Sequence, residues 1–169
     1  PRAACALPPA VFACGRVVVG HIGTPAELVD ASGSRLSLVT AEAVAEWLAL
    51  SRRRPDAHKG SVGAVLVVAG GAGKTGAAAM TAEAALRAGS GLVTVATARS
   101  AEAALAARAV PEAMTEPLAE TPDGALSFDA LDALLRLLAA RTVGAVGPGI
   151  GTHESTSALV RAFVERSER

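Results

Sequence analysis

Apolar residues along the chain fall into two kinds of run, and their spacing predicts strands alternating with helices. Ala64-Val65-Leu66-Val67-Val68-Ala69 and Leu92-Val93-Thr94-Val95-Ala96 are short and continuously apolar, as expected of strands buried on both faces. Further strands are expected near Met114 to Leu118 and over Val143 to Val146. Between them apolar residues recur at helical spacing. An Ala-rich helix is expected over about Gly76 to Ala88, ended by Gly89, and another over about Ser100 to Arg108. A third, carrying Leu131, Leu134, Leu135 and Leu138, follows the capping residue Ser127, and a last one begins near Glu154. Strands buried on both faces need helices on both sides, so the pattern predicts a doubly wound, mostly parallel α/β sheet. Ligands of such a sheet lie beyond the C-terminal ends of its strands.

Upstream the pattern thins. Arg16 to Gly20 reads as a short strand, followed by a Gly/Pro/Ser-rich linker from Gly23-Thr24-Pro25 through Gly33-Ser34. Thr40 is placed to cap a helix carrying Val44, Trp47, Leu48 and Leu50, which Arg52, Arg53, Arg54 and Pro55 bring to a stop.

Composition narrows the partners. Half of the 169 residues are hydrophobic, but the aromatics are only Trp47, Phe12, Phe128 and Phe163, so the core is expected to be built from Ala, Val and Leu. Sixteen basic residues balance sixteen acidic ones. Without a net field or stacking aromatics, nucleic acid is not an expected partner. The arginine run is read as a solvated helix end. Cys5 and Cys14 lack metal-ligand spacing, and no apolar run approaches the roughly 20 residues of a membrane helix. A soluble, cytoplasmic protein is the expectation.

Two glycine loops carry the candidate chemistry, each placed directly after a strand, where backbone N–H groups and helix N-termini attract anions. The first is Gly70-Gly71-Ala72-Gly73-Lys74-Thr75-Gly76. A Walker-type phosphate loop ending in Gly73-Lys74-Thr75 would put its first glycine at Val68, so that match fails. Gly71, Gly73 and Gly76 do fit the G-x-G-x-x-G dinucleotide fingerprint, but the second strand ends in Thr97, Ala98 and Arg99 where an acidic ribose ligand would be needed. Arg99 offers a cation to a 2′-phosphate instead. The same glycines also suit a plain tight turn. The second loop, Gly147-Pro148-Gly149-Ile150-Gly151, ends another strand and favours a shared ligand crevice. His153, like His21 and His58, has no nucleophile or carboxylate that marks it as a base and is read as a solvated or capping histidine.

A specific resemblance now enters. His58-Lys59-Gly60-Ser61-Val62-Gly63, Val67-Val68-Ala69-Gly70, Thr75-Gly76-Ala77-Ala78, Arg87-Ala88-Gly89-Ser90-Gly91-Leu92-Val93, Pro111-Glu112-Ala113-Met114-Thr115-Glu116 and Gly147-Pro148-Gly149-Ile150-Gly151 follow in order. Together they resemble the NAD(P)H-hydrate dehydratase family over about residues 55 to 166. The resemblance implies a ribokinase-like fold, present here as an incomplete domain. Leu7-Pro8-Pro9, Gly15-Arg16-Val17-Val18-Val19 and Ile22-Gly23-Thr24-Pro25 resemble the tail of the NAD(P)H-hydrate epimerase domain that precedes the dehydratase in two-domain proteins, although His21 replaces the usual acidic residue. Residues 1–39 are accordingly expected to be that tail and a linker, and residues 40–169 the N-terminal part of a dehydratase domain.

The implied reaction is loss of water from the nicotinamide ring of hydrated NAD(P)H, driven by ADP or ATP with Mg2+; bacterial members use ADP and release AMP. Hydroxide leaves poorly, so phosphoryl transfer to the ring hydroxyl lets the ring nitrogen expel phosphate, and catalysis rests on positioning and charge stabilisation. By matching motifs, Ala77 and Gly149 would contact the hydrated dinucleotide, with Gly73, Thr75, Gly76, Gly147 and Gly151 as its neighbours. The family's G-x-G-D segment, source of the catalytic base and anion hole, has no counterpart before Arg169. No catalytic residue is therefore named, and this piece alone is expected to be inactive. Lys74 departs from the Met common in the family. The full-length protein is expected to form a homo-oligomer. Two alternatives stay open: an NADP-binding Rossmann-type oxidoreductase fragment, and a non-catalytic nucleotide-binding module.

Overall fold

The computed structural model describes residues 3–33, 37–50 and 52–167 and divides the chain into two units, residues 1–52 and 53–169. In the first unit two short 3-10 turns, Ala3–Ala6 and Ala10–Phe12, precede helices α1 (Ala26–Asp30) and α2 (Ala41–Leu50). Thr40 caps α2 as its position predicts, its Oγ1 accepting from the Ala43 N–H at 3.3 Å. The strand expected over Arg16 to Gly20 does not form: the segment is irregular, and Val17, Val18 and Val19 are exposed. An apolar triplet becomes a strand only where another strand accepts its backbone hydrogen bonds, and among the described residues none pairs with this one.

The second unit is the α/β body: β1 (Ala64–Val68), α3 (Thr75–Arg87), β2 (Leu92–Ala98), α4 (Glu102–Ala106), β3 (Ala113–Leu118), α5 (Leu131–Ala139), β4 (Val143–Val146) and α6 (Glu154–Arg166). All strand pairs are parallel, in the order β3-β2-β1-β4. The alternation of side chains along β1 explains why both faces are covered. Leu66 and Val68 pack with Leu131, Leu134, Leu159 and Phe163 of α5 and α6. Val67 and Ala69 pack with Ala78, Ala82 and Leu105 of α3 and α4. This is the doubly wound arrangement that continuous apolar strands require.

Chain termini of the helices follow their local chemistry. Gly89, at φ +110°, ends α3 in a Schellman motif: its N–H reaches the Leu86 carbonyl at 3.0 Å and the Ser90 N–H the Ala85 carbonyl at 3.1 Å. Arg53 then donates to the Gly89 carbonyl at 2.7 Å, a cation set at a helix C-terminus. The helix expected over Ser100 to Arg108 is shorter, a 3-10 turn (Arg99–Ala101) leading into α4. Ser127 is extended at the start of the 3-10 turn Phe128–Ala130 that leads into α5, but its side chain makes no capping bond.

Candidate functional site

The order β3-β2-β1-β4 contains one reversal. From β1 the chain steps outward through β2 and β3, then returns across β1 to place β4 on its other side. Loops leaving β1 and β4 therefore diverge at a topological switch point, the position where open α/β sheets hold their ligands. The loop after β1 is Ala69 to Lys74 and the loop after β4 is Gly147 to His153, so both glycine segments identified in the sequence flank this crevice.

The two loops are in direct contact. The Gly70 N–H donates to the Pro148 carbonyl at 2.9 Å. A Cβ on Gly149 would stand 2.8 Å from the Lys74 carbonyl and 3.5 Å from the Ala77 Cβ, so the second loop lies close against the start of α3 with no room for a side chain at Gly149. Gly149 also holds φ +70°, a left-handed conformation that disfavours any side chain. Thr75 is buried at the first position of α3, and the half-buried Gly76 and Ala77 follow it in the first turn. Above Gly73, Gly76 and Gly147 there is open space where a Cβ would be, which leaves their backbone accessible from the rim. Gly151, at φ +90°, faces Ala125. All seven residues named from the sequence thus lie on the same rim.

A third wall was not read from the sequence. After β3 the chain forms a small hairpin closed by an antiparallel bridge between Glu120 and Leu126. Its tip packs on the first loop: the Ala72 N–H donates to the Gly124 carbonyl at 2.8 Å, and a Cβ on Gly71 would meet that same oxygen at 2.9 Å. The signal was present as Thr121-Pro122-Asp123-Gly124, a turn sequence with proline and glycine in place. What the sequence does not reveal is which other loops the turn meets.

Charge on the rim comes from all three loops. Lys74 precedes α3, His153 precedes α6 and Asp123 sits at the hairpin tip, all exposed. His153 caps α6, with Nδ1 accepting from the Ser155 N–H at 3.1 Å, as a capping histidine should. The Asp123 carboxyl is held below its ordinary range, first by the Thr121 hydroxyl that donates to it, then by its own backbone and by the charges of His153 and Lys74, against an opposing desolvation. Glu120 is likewise lowered, chiefly by the Ser100 N–H that donates to its Oε2 at 2.8 Å, with Arg99 adding a smaller attraction. Beneath Gly70 the wholly buried Thr97 hydroxyl has no hydrogen-bond partner.

Among the described residues no group of three or more His, Cys, Asp or Glu side chains is arranged to hold a metal ion. A Mg2+ delivered with a nucleotide needs fewer, because phosphates and waters supply most of its ligands. Two further concavities lie elsewhere: one of about 350 Å³ along β4 and α6, including Val143, Phe163 and Val164, and one of about 230 Å³ between β3 and α5. No helix among the described residues is long and apolar enough to cross a membrane.

Strand order alone fits a Rossmann-type sheet as well as a ribokinase-like one. Comparison with known proteins separates them, because the model of the NAD(P)H-hydrate dehydratase family matches residues 65–168. The chain belongs to the NAD(P)H-hydrate dehydratase family. It is 42% identical over 168 residues to the bifunctional NAD(P)H-hydrate repair enzyme of Moorella thermoacetica, a match covering 98% of this chain and 31% of that protein. It is 38% identical over 113 residues to the ADP-dependent (S)-NAD(P)H-hydrate dehydratase of Lactiplantibacillus plantarum, covering 67% of this chain and 37% of that one. Its fold matches the crystal structure of a ribokinase-like superfamily protein from Enterococcus faecalis with a TM-score of 0.57 and 26% identity, over 70% of this chain and 38% of the other. The α/β body is therefore ribokinase-like, and the chain spans less than half the length of each of these relatives.

Proposed function

We propose that the crevice between the loops after β1 and β4 binds the nicotinamide nucleotide of an (S)-NAD(P)H-hydrate dehydratase, and that the full-length protein restores NAD(P)H by ADP-dependent dehydration. The observation that carries this reading is the direct contact of the two glycine loops, through the Gly70 N–H and the Pro148 carbonyl, at the switch point of the sheet. Glycines there allow the backbone amides to approach a bound anion, and the first turn of α3 directs its N–H groups at the same space. Thr75, Gly76 and Ala77 would hold one side of the ligand, Gly147, Gly149 and Gly151 the other, with Gly73 at the mouth. Lyase chemistry requires further groups to receive the phosphoryl donor and to move the ring proton. Within this chain the residues bind and orient; no side chain at the rim is assigned as a catalytic base.

The named activities of the relatives support ADP as the phosphoryl donor. ATP use, Mg2+ carried by the nucleotide phosphates, a cytoplasmic location and homo-oligomeric assembly belong to the same proposal. So does the organisation in which residues 1–39 end a preceding epimerase-like domain. The match to the bifunctional M. thermoacetica enzyme, which takes in 98% of the chain, supports it.

The test is calorimetric titration of the 169-residue chain with NADP+ and with NADPH hydrate, repeated for Gly76→Ala. Gly76 has no neighbour within 4 Å of an added Cβ and no positive φ, so the fold tolerates the methyl group. Saturable binding that Gly76→Ala weakens at least about tenfold, with an unchanged circular dichroism spectrum, is expected; tenfold corresponds to about 1.4 kcal/mol. Absence of saturable binding, or binding indifferent to the substitution, would remove the assignment.

A further inference from the structure

Lys74 is the rim residue that the glycine scaffold leaves unexplained. It stands at the junction of the first loop and α3, and its backbone carbonyl and Cβ are 2.8 and 3.2 Å from the position of a Gly149 Cβ. Its backbone and Cβ are thus anchored where the two glycine loops meet, and its exposed side chain starts from that point. It has no carboxylate within ion-pair distance among the described residues, whose ion pairs are Arg54 with Asp56 and Arg87 with Glu83. Two neighbouring loops bring opposite influences to the same place. His153, held by its Nδ1 bond at the start of α6, presents its exposed ring from the second loop. Asp123, fixed by Thr121 at the hairpin tip, contributes a carboxylate. That tip is locked onto the first loop through the bond between the Ala72 N–H and the Gly124 carbonyl, and onto the second through the packing of Ala125 against Gly151.

Resting on the nucleotide-binding reading above, we propose that Lys74 captures a phosphate of the incoming dinucleotide and that Asp123 limits the strength of that capture. A flexible ammonium at the mouth of a backbone cradle recognises phosphate as a point charge, while glycine amides fix its position. A carboxylate nearby subtracts from the positive field that the phosphate meets. The arrangement yields a rim whose affinity is set by one cation opposed by one anion, and it accounts for a lysine where an uncharged methionine would serve the fold equally well.

Both charged side chains are exposed, so Lys74→Met and Asp123→Asn leave the fold intact and isolate the charge. The measurement is NADP+ affinity of the full 169-residue chain at low and at moderate salt, with Gly76→Ala as reference. A unit charge removed at this range in a partly solvated site is expected to change affinity about threefold to tenfold. Lys74→Met should weaken binding by that factor and flatten its salt dependence, whereas Asp123→Asn should tighten it by a similar factor. The proposal is overturned if the unsubstituted chain binds NADP+, Gly76→Ala weakens it, and both charge variants stay within twofold of the original. Weaker binding by Asp123→Asn overturns the limiting role of the carboxylate. No binding by the unsubstituted chain overturns both this proposal and the reading it rests on.

Discussion

Gly149 shows how a single residue joins architecture to ligand binding. Its φ of +70° costs an alanine about 1–3 kcal/mol. Its methyl group would also press on the Lys74 carbonyl, a backbone atom that cannot swing aside. Gly149→Ala is therefore expected to lower the urea unfolding free energy by about 2–4 kcal/mol and to weaken nucleotide binding as well. Gly76→Ala should lose binding alone, so the pair distinguishes a glycine required by the fold from one required by the ligand. Glu120 makes a different prediction. Because the Ser100 N–H favours its ionised form, its folded pKa lies below the unfolded one. The stability it contributes is full above the ordinary glutamate pKa and is lost as pH falls through the depressed folded value. Thermal melts between pH 6 and pH 3 should accordingly show a smaller acid-side fall for Glu120→Gln than for the unsubstituted chain, with the difference confined to pH below about 5. Equal slopes in the two proteins would dismiss this contribution.

At the scale of elements, Gly91 marks a junction between the segment before β1 and the entry to β2. A Cβ there would overlap the Lys59 carbonyl, and its N–H donates to the Gly63 carbonyl at 3.0 Å. Gly91→Ala should force the backbone apart and destabilise the protein by more than about 3 kcal/mol, read as a fall in the urea midpoint without a change in its slope. The motif from Arg87 to Val93 is thus explained by the α3 cap and by close backbone packing, with no ligand needed. The strands and helices of this body were legible because β1, β2 and β4 are apolar on both faces and their helices carry helix-spaced Leu and Ala. The run from Val17 to Val19 has the same local composition but, among the described residues, no partner strand, so local pattern alone misreads it. Hairpin residues Thr121 to Gly124 were missed for the complementary reason: their turn chemistry is local, but their place against Gly71 and Ala72 depends on strand order. The switch point likewise became visible only when β4 was seen beside β1. Lys74, Asp123 and His153 are far apart in sequence, and nothing in their spacing announces a common rim.

Across the whole molecule, burial divides sharply between the two units. None of the described side chains up to residue 50 is buried, whereas β1 and β2 supply side chains wholly removed from solvent. Apolar burial is the main force opposing chain entropy, so cooperative stability should reside in residues 53–169. Helices as short as α1 and α2 gain little stability without a packed apolar face. Their amides should open at low free-energy cost and expose the chain to proteases. Arg52 and Arg53 lie at the division itself, while the bond from Arg53 to the Gly89 carbonyl ties the following segment to α3. Limited trypsin digestion should therefore remove the N-terminal unit early and leave a resistant fragment beginning near Arg53 or Arg54. That fragment contains all three walls of the crevice and should retain the NADP+ affinity of the parent chain. Early cleavage within β1 to α6 would show that burial in the α/β body does not provide the expected protection. A resistant fragment with diminished affinity would instead show that the N-terminal unit contributes to the binding state.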